Sequence, residues 1–122
     1  MATFRLSHAA ESDIIEALAW SETRFGSAAR ARYEHLVVAA ILDVATKPDR
    51  PGSLSRAELG ADIRSWHLRG SRDRVLDVDG VVMRPRHLLV YRPVSPDLLL
   101  IGRMLHDSME LERHGRGPEI WR

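Results

Sequence analysis

The chain has 122 residues, 44% of them apolar and 29% charged, and no cysteine; that suffices for one core and excludes disulfides, thiolate chemistry and zinc–thiolate sites. Its longest apolar runs, such as 36–42 and 98–102, fall short of the roughly 20 residues that cross a bilayer, and the start MATFRLSHAAESD lacks the apolar middle of a secretion signal, so a cytoplasmic protein is expected. A formal net charge of +1 does not point to a polyanion, although 17 of the 18 basic residues are arginine and 11 of those follow Asp62, a bias suited to fixed bidentate contacts.

Residues Thr3–Leu6 alternate and predict a short strand. Ser7 offers an N-cap to HAAESDIIEALAWSETRF, whose Glu11, Asp13 and Glu16 come early, where a helix dipole favours negative charge. Ala10, Ile14, Leu18 and Phe25 share one face of this helix, with Ile15 beside them; Gly26 ends it and Ser27 can cap the next. There, Tyr33, Leu36, Val37, Ala40, Ile41 and Val44 form an apolar stripe at helical spacing, and Pro48 closes the segment. The two helices, within 8–46, must form an antiparallel hairpin, and neither stripe is its own core, so a sheet is needed beneath them.

A proline- and glycine-rich loop comes next, with room for one helical turn at Ser55–Leu59. Asp62–Arg69 reads as a strand with Arg64, Trp66 and Leu68 on one face and Ile63, Ser65 and His67 on the other. The insertion 70–85 holds Asp79-Gly80 between short valine-rich runs and reads as an extra β-ribbon or lid, or else as a disordered surface loop. Arg86–Arg92 and Leu98–His106 then pair across PVSPD. With Arg92 opposite Leu98, His87, Leu89, Tyr91, Leu99, Ile101 and Arg103 lie on one face, and Arg86, Leu88, Val90, Arg92, Leu98, Leu100, Gly102, Met104 and His106 on the other. The tail 107–122 holds one short helix near Ser108–His114 and an irregular end. The expected fold is a single α+β domain, 1–122, in two layers: a helical hairpin on an antiparallel sheet of about four strands, which spans 62–106 and includes the inserted ribbon.

No P-loop, GxGxxG, GxSxG or HExxH is present, and the six histidines do not fall at metal-ligand spacing, so neither a metal site nor a cofactor is expected. The nearest approach to a catalytic set is Arg86, His87, Tyr91, Arg92, Arg103 and His106, with His67 on the preceding strand. Metal-free RNA cleavage needs such groups: a base for the 2′-hydroxyl, an acid for the leaving oxygen and cations for the phosphorane-like charge. The same residues serve equally as strand ends and salt-bridge partners.

The segment from FRLSHAAESD to ATKPDRPG, then IRSWHLR, PRHLLVYRP and LIGRMLHDSMELERH, resembles in that order the ParE branch of the RelE/ParE toxin superfamily. The likeness runs from Phe4 to about His114, with RHLLVYR and RMLHDSMELERH its most specific pieces. It implies a bacterial toxin of a type II toxin–antitoxin pair, causing growth arrest until a ParD-like or similar antitoxin wraps it. ParE-like members imply DNA gyrase as target; RelE-like members imply messenger RNA cut in the ribosome. Where RelE-type nucleases carry cationic or acid–base groups, this chain aligns Ser65, His67, Leu88 and either Asp107 or Ser108, and no tyrosine occurs after Arg103. That favours a stoichiometric gyrase inhibitor over a nuclease built on Arg86, His87, Tyr91, Arg103 and His106; an inactive antitoxin-binding module is a third reading. The resemblance also makes Arg86, Leu88, Val90, Arg92, Leu98, Leu100, Met104 and His106 the expected surface for antitoxin or target.

Overall fold

The computed structural model describes residues 2–75 and 80–122. Strand β1 (Thr3–Leu6) leads into α1 (His8–Phe25) and α2 (Ser27–Thr46), and then β2 (Leu54–Ser55), β3 (Arg64–His67), β4 (His87–Ser95), β5 (Leu98–His106) and α3 (Leu111–His114). The architecture is the expected α+β one, a helical hairpin on a mostly antiparallel sheet, with five strands in the order β1-β5-β4-β3-β2. β1 is the exception, pairing parallel to β5. β2 adds a two-residue edge where a loop was expected, and of the Ser55–Leu59 stretch Ser55 belongs to this edge while the rest forms hydrogen-bonded turns instead of a helix.

The helices form where spacing places them, and α1 has its expected cap, but α2 begins at Ser27 itself, with Gly26 before it and no side-chain cap. Ser7 Oγ accepts the Ala10 N–H, and Gly26, at φ 93°, makes a corner between α1 and α2 that a residue with a Cβ rarely adopts. The α2 stripe of Leu36, Val37, Ala40, Ile41 and Val44 is buried against Leu89, Tyr91, Leu99, Ile101 and Trp66 of the sheet. Ala10 and Leu18 of α1 are buried, but Phe25, at the end of the same stripe, is 65% exposed and stacks edge-on against Trp20.

The β4–β5 register differs from the expected one, and the difference changes which side chains share a face. Arg92 lies opposite Leu100, and Ser95 opposite Leu98, because β4 continues through Pro93. Proline is tolerated there because β3 pairs no further along β4 than Tyr91, so no neighbour on that side needs its missing N–H. Val90 then pairs with Arg103 while Tyr91 pairs with Ile101, leaving Gly102 as an extra residue on β5. The bulge swaps the alternation beyond it. Met104, expected beside Leu88 and Val90, packs instead into the core under the helices, and Leu105 takes its place on the opposite face.

That opposite face carries a second core of Leu59, Ile63, Leu88, Val90 and Leu105, closed by Leu111 and Trp121. Its cover is the chain's own tail, where Pro118–Trp121 forms a short 3-10 helix and Ile120 is buried. Trp121 lies over Gly102, where a Cβ would come within 2.7 Å of the ring, and the Arg92 guanidinium also stacks on this ring, 4.9 Å from its centre.

The insertion departs from the expected ribbon. Leu68–Arg74 is a 3-10 helix against α2, pinned by Trp66 Nε1–H to Ser71 Oγ (2.9 Å) and Ser71 Oγ–H to Asp43 (2.6 Å). The described residues 80–85 form no strand, and the Asp79 side of the expected turn lies outside the described residues.

Candidate functional site

Because of the Gly102 bulge, His106 stands directly opposite His87 on the helix side of the sheet, and the rings meet edge to face at 5.4 Å. From above, α2 contributes Tyr33. Its oxygen accepts the Arg86 N–H at 3.2 Å, so its O–H is free to donate to His87 Nδ1, 2.5 Å away. Burial, reinforced by His106, pushes the His87 imidazole down to about 4, and burial pushes the Tyr33 phenol up to about 12. At neutral pH both are therefore uncharged.

One residue further along, Asp107 gathers two neighbouring donors. His67 Nε2 donates to its Oδ2 at 3.0 Å, and the Arg86 guanidinium grips Oδ1 at 2.9 and 3.1 Å. Partial burial would raise this carboxyl, but the bonds from His67 and Arg86 outweigh it and hold the group below its ordinary value. The His67 Nδ1 is occupied by the Arg69 N–H at 3.1 Å, which puts the ring proton on Nε2.

A groove of about 880 Å³ opens beside this cluster, walled by α1, the start of α2, residues 81–86 and the ends of β4 and β5. Trp20, Phe25 and Met83 lie on its rim, 56%, 65% and 73% exposed, with Ala17, Ala29 and Met104 below and His87, His106, Arg84 and Arg86 at one end. Exposed aromatic and methionine side chains gathered in one concavity are the usual makings of a docking surface.

Of the expected nuclease set, Arg86, His87 and His106 come together, and His67 joins them. Tyr91 does not: it is fully buried under the helices with its hydroxyl donating to the Pro48 carbonyl. Nor does Arg103, which forms a bidentate pair with Asp13 at 2.7 and 2.9 Å and also donates to the His114 carbonyl. The bonds to Asp13 raise the Arg103 guanidinium above its ordinary value, so it stays bound to that carboxylate. Asp13 also accepts the Met104 N–H at 3.0 Å, closing the edge of β5 past the end of β1.

The expected partner face is divided. Leu88 and Val90 are buried under the tail, Met104 faces the helices, Leu98, Leu100 and Arg92 are half-buried, and Arg86 and His106 line the groove. Spacing shows Tyr33 as a stripe residue, and the resemblance marks Asp107 or Ser108 as a replaced position, with no sign that Tyr33 or Asp107 bonds to this cluster. Trp20 falls off the α1 stripe in the sequence, and in the structure it carries Arg24 at 5.6 Å from its ring.

Among the described residues no group of three or more His, Cys, Asp or Glu side chains is placed to hold a metal ion, and no helix is long and apolar enough to cross a membrane. No curated protein matches the chain. The family model described as ParE toxin of type II toxin-antitoxin system, parDE, matches residues 4–111 and takes in both long helices and the sheet. The chain belongs to the ParE toxin family of type II toxin–antitoxin systems.

Proposed function

We propose that the protein acts by binding, inhibiting DNA gyrase without turnover, and that its antitoxin neutralises it by occupying the groove between α1 and residues 81–86. One observation carries this: the arginines and the tyrosine a metal-free nuclease would need are tied off, while the apolar groove stays open. Arg86 is held by Asp107, Arg103 by Asp13, Tyr91 is buried, and His87 shares its Nδ1 with Tyr33. Cations already satisfied by carboxylates have little left for a phosphorane-like charge. An apolar surface rimmed by Trp20, Phe25 and Met83 instead suits a partner segment that folds as it binds.

The test is to incubate purified toxin with gyrase, plasmid DNA and ATP, and in parallel with translating ribosomes. The binding reading expects cleaved DNA trapped with gyrase, at a yield that saturates near one toxin per enzyme, and intact message. Unimpaired supercoiling would sink it. The gathering of His87, His106 and Arg86 at one end of the sheet is what favours the nuclease reading, which expects cuts in ribosome-bound message that disappear in His87→Ala.

A further inference from the structure

The three histidines at this end of the sheet share one arrangement. His67 Nδ1 accepts the Arg69 N–H, His87 Nδ1 accepts the Tyr33 O–H, and His106 Nδ1 lies 3.2 Å from the Ser108 N–H and 2.7 Å from its Oγ. With Nδ1 used as an acceptor in each, the ring proton belongs on Nε2. His67 spends that proton on the Asp107 carboxylate, beside the Arg86 guanidinium. Among the described residues, Nε2 of His87 and of His106 has no hydrogen-bond partner, and both rings line the groove. Arg84 lines the same end and makes no ion pair among the described residues.

We infer that this end of the groove is a carboxylate subsite: His87 and His106 Nε2–H, flanked by Arg84 and Arg86, receive an Asp or Glu side chain from an amphipathic segment of the antitoxin. The inference rests on the reading of the groove as the antitoxin's docking surface and adds what that segment must carry. Donors without acceptors exclude a lysine or arginine at this position and call for an oxygen acceptor. The Arg84 guanidinium, which makes no ion pair among the described residues, makes an anion better than a neutral carbonyl. The chain itself supplies the precedent, since Asp107 sits on one histidine Nε2–H and one arginine. On α1, Asp13 is spent on Arg103 and the Met104 N–H, which leaves Glu16, a lining residue of the same groove, to face a basic residue of the same segment. The occupant is thereby oriented, its acid toward the histidines and its apolar side chains along Trp20, Phe25 and Met83.

Calorimetric titration of the full-length toxin with its cognate antitoxin at low ionic strength tests this, using wild-type toxin, His106→Phe, Arg84→Ala and Trp20→Ala, against antitoxin with each Asp or Glu of its toxin-contacting segment changed to Asn or Gln. His106→Phe keeps the ring and removes the donor, and should weaken binding about tenfold. One amide substitution should weaken wild-type binding by a similar factor and add little to the His106→Phe loss, the non-additivity expected of a direct pair. His106→Gln, which offers an N–H again, should recover part of the affinity. If Trp20→Ala leaves affinity unchanged, the docking surface lies elsewhere and both readings fall. If Trp20→Ala weakens binding but neither His106→Phe nor the exposed Arg84→Ala does, or no acidic residue couples to them, the groove stands and the carboxylate subsite is overturned.

Discussion

The two faces of the sheet are both apolar, but they are closed by different means. On one side α2, twenty residues long, lays a continuous stripe over Leu89, Tyr91, Leu99 and Ile101, and these four are fully buried. On the other, Leu88, Val90 and Leu105 are covered by scattered pieces: Leu59 and Ile63 from a loop, Leu111 from a four-residue helix, Trp121 from the last turn of the chain. The first cover is periodic and local in sequence. The second depends on single anchors, the most exacting of which is the seat of Trp121 on Gly102. The helix-covered face should therefore carry the larger share of stability, and the open surface lies where α1 overhangs the bulged end of the hairpin.

The largest expected effect tests that ranking. Leu89→Ala removes a fully buried side chain from the helix-covered core and should cost about 2–5 kcal/mol. Urea unfolding should show a lower midpoint with an unchanged slope. Deleting residues 118–122 should cost less; if it costs more, the tail and not the helices is the principal clamp.

Next comes the anchor itself. Gly102→Ala places a Cβ within 2.7 Å of the Trp121 ring, overpacking expected to cost about 1–3 kcal/mol. In a Trp121→Ala background most of that cost should vanish, which a double-mutant cycle reads directly. An undiminished cost would mean that Gly102 is needed for the bulge and not for the ring.

These two positions also mark how far the sequence could be read. Periodicity exposed α2 and the paired strands because each repeats one chemical choice many times, and the helix boundaries at Ser7 and Gly26 are local events. The cover over Leu88 and Val90 had no such signal: Leu111, Ile120 and Trp121 lie in a segment with no period, and only the structure brings them back over the sheet. The site was half legible. Arg86, His87 and His106 could be named from the strands, but strict alternation puts His87 and His106 on opposite faces, and the one-residue bulge that reunites them costs the sequence only a glycine. Tyr33 was hidden for a different reason, since a tyrosine in an apolar stripe has the same spacing whether its hydroxyl is idle or bonded. Tyr91 and Arg103 lie apart from His87 and His106 because sharing a strand face says nothing of what the side chain pairs with across the fold.

A smaller effect should appear in the pH dependence, at the junction of the two faces. His87 titrates near 4 in the folded protein against 6.5 ordinarily, so the unfolded chain takes up a proton first on acidification. Stability should hold above pH 6.5 and fall as the pH drops toward 4, and Asp107, also depressed, should extend the fall below its ordinary value of 3.8. Tyr33 works at the other edge. Its phenol ionises near 12 when folded and at 10.0 ordinarily, so stability should hold below pH 10 and fall as the pH rises through 12. Tyr33→Phe should remove the alkaline fall contributed by this residue. Thermal melts across pH 4 to 11 would show the plateau, and an unchanged alkaline limb in Tyr33→Phe would place the titrating group elsewhere.

The smallest expected effect on stability separates the groove from both faces. Trp20 and Phe25 touch each other edge-on at 5.7 Å, and Trp20 carries Arg24 on its ring, yet both aromatics are mostly exposed and lie outside either core. Exposed aromatic pairs of this kind contribute little to folding, so Trp20→Ala should change unfolding free energy by no more than about 0.5 kcal/mol. A core residue could not be truncated so cheaply, as Leu89→Ala would show beside it. If the loss instead approached that of Leu89→Ala, the rim would have to be counted as part of the helix-covered core. Near-neutral stability combined with weakened antitoxin capture would assign these side chains to recognition: two large apolar groups held in water at the mouth of the groove because burial there awaits a partner.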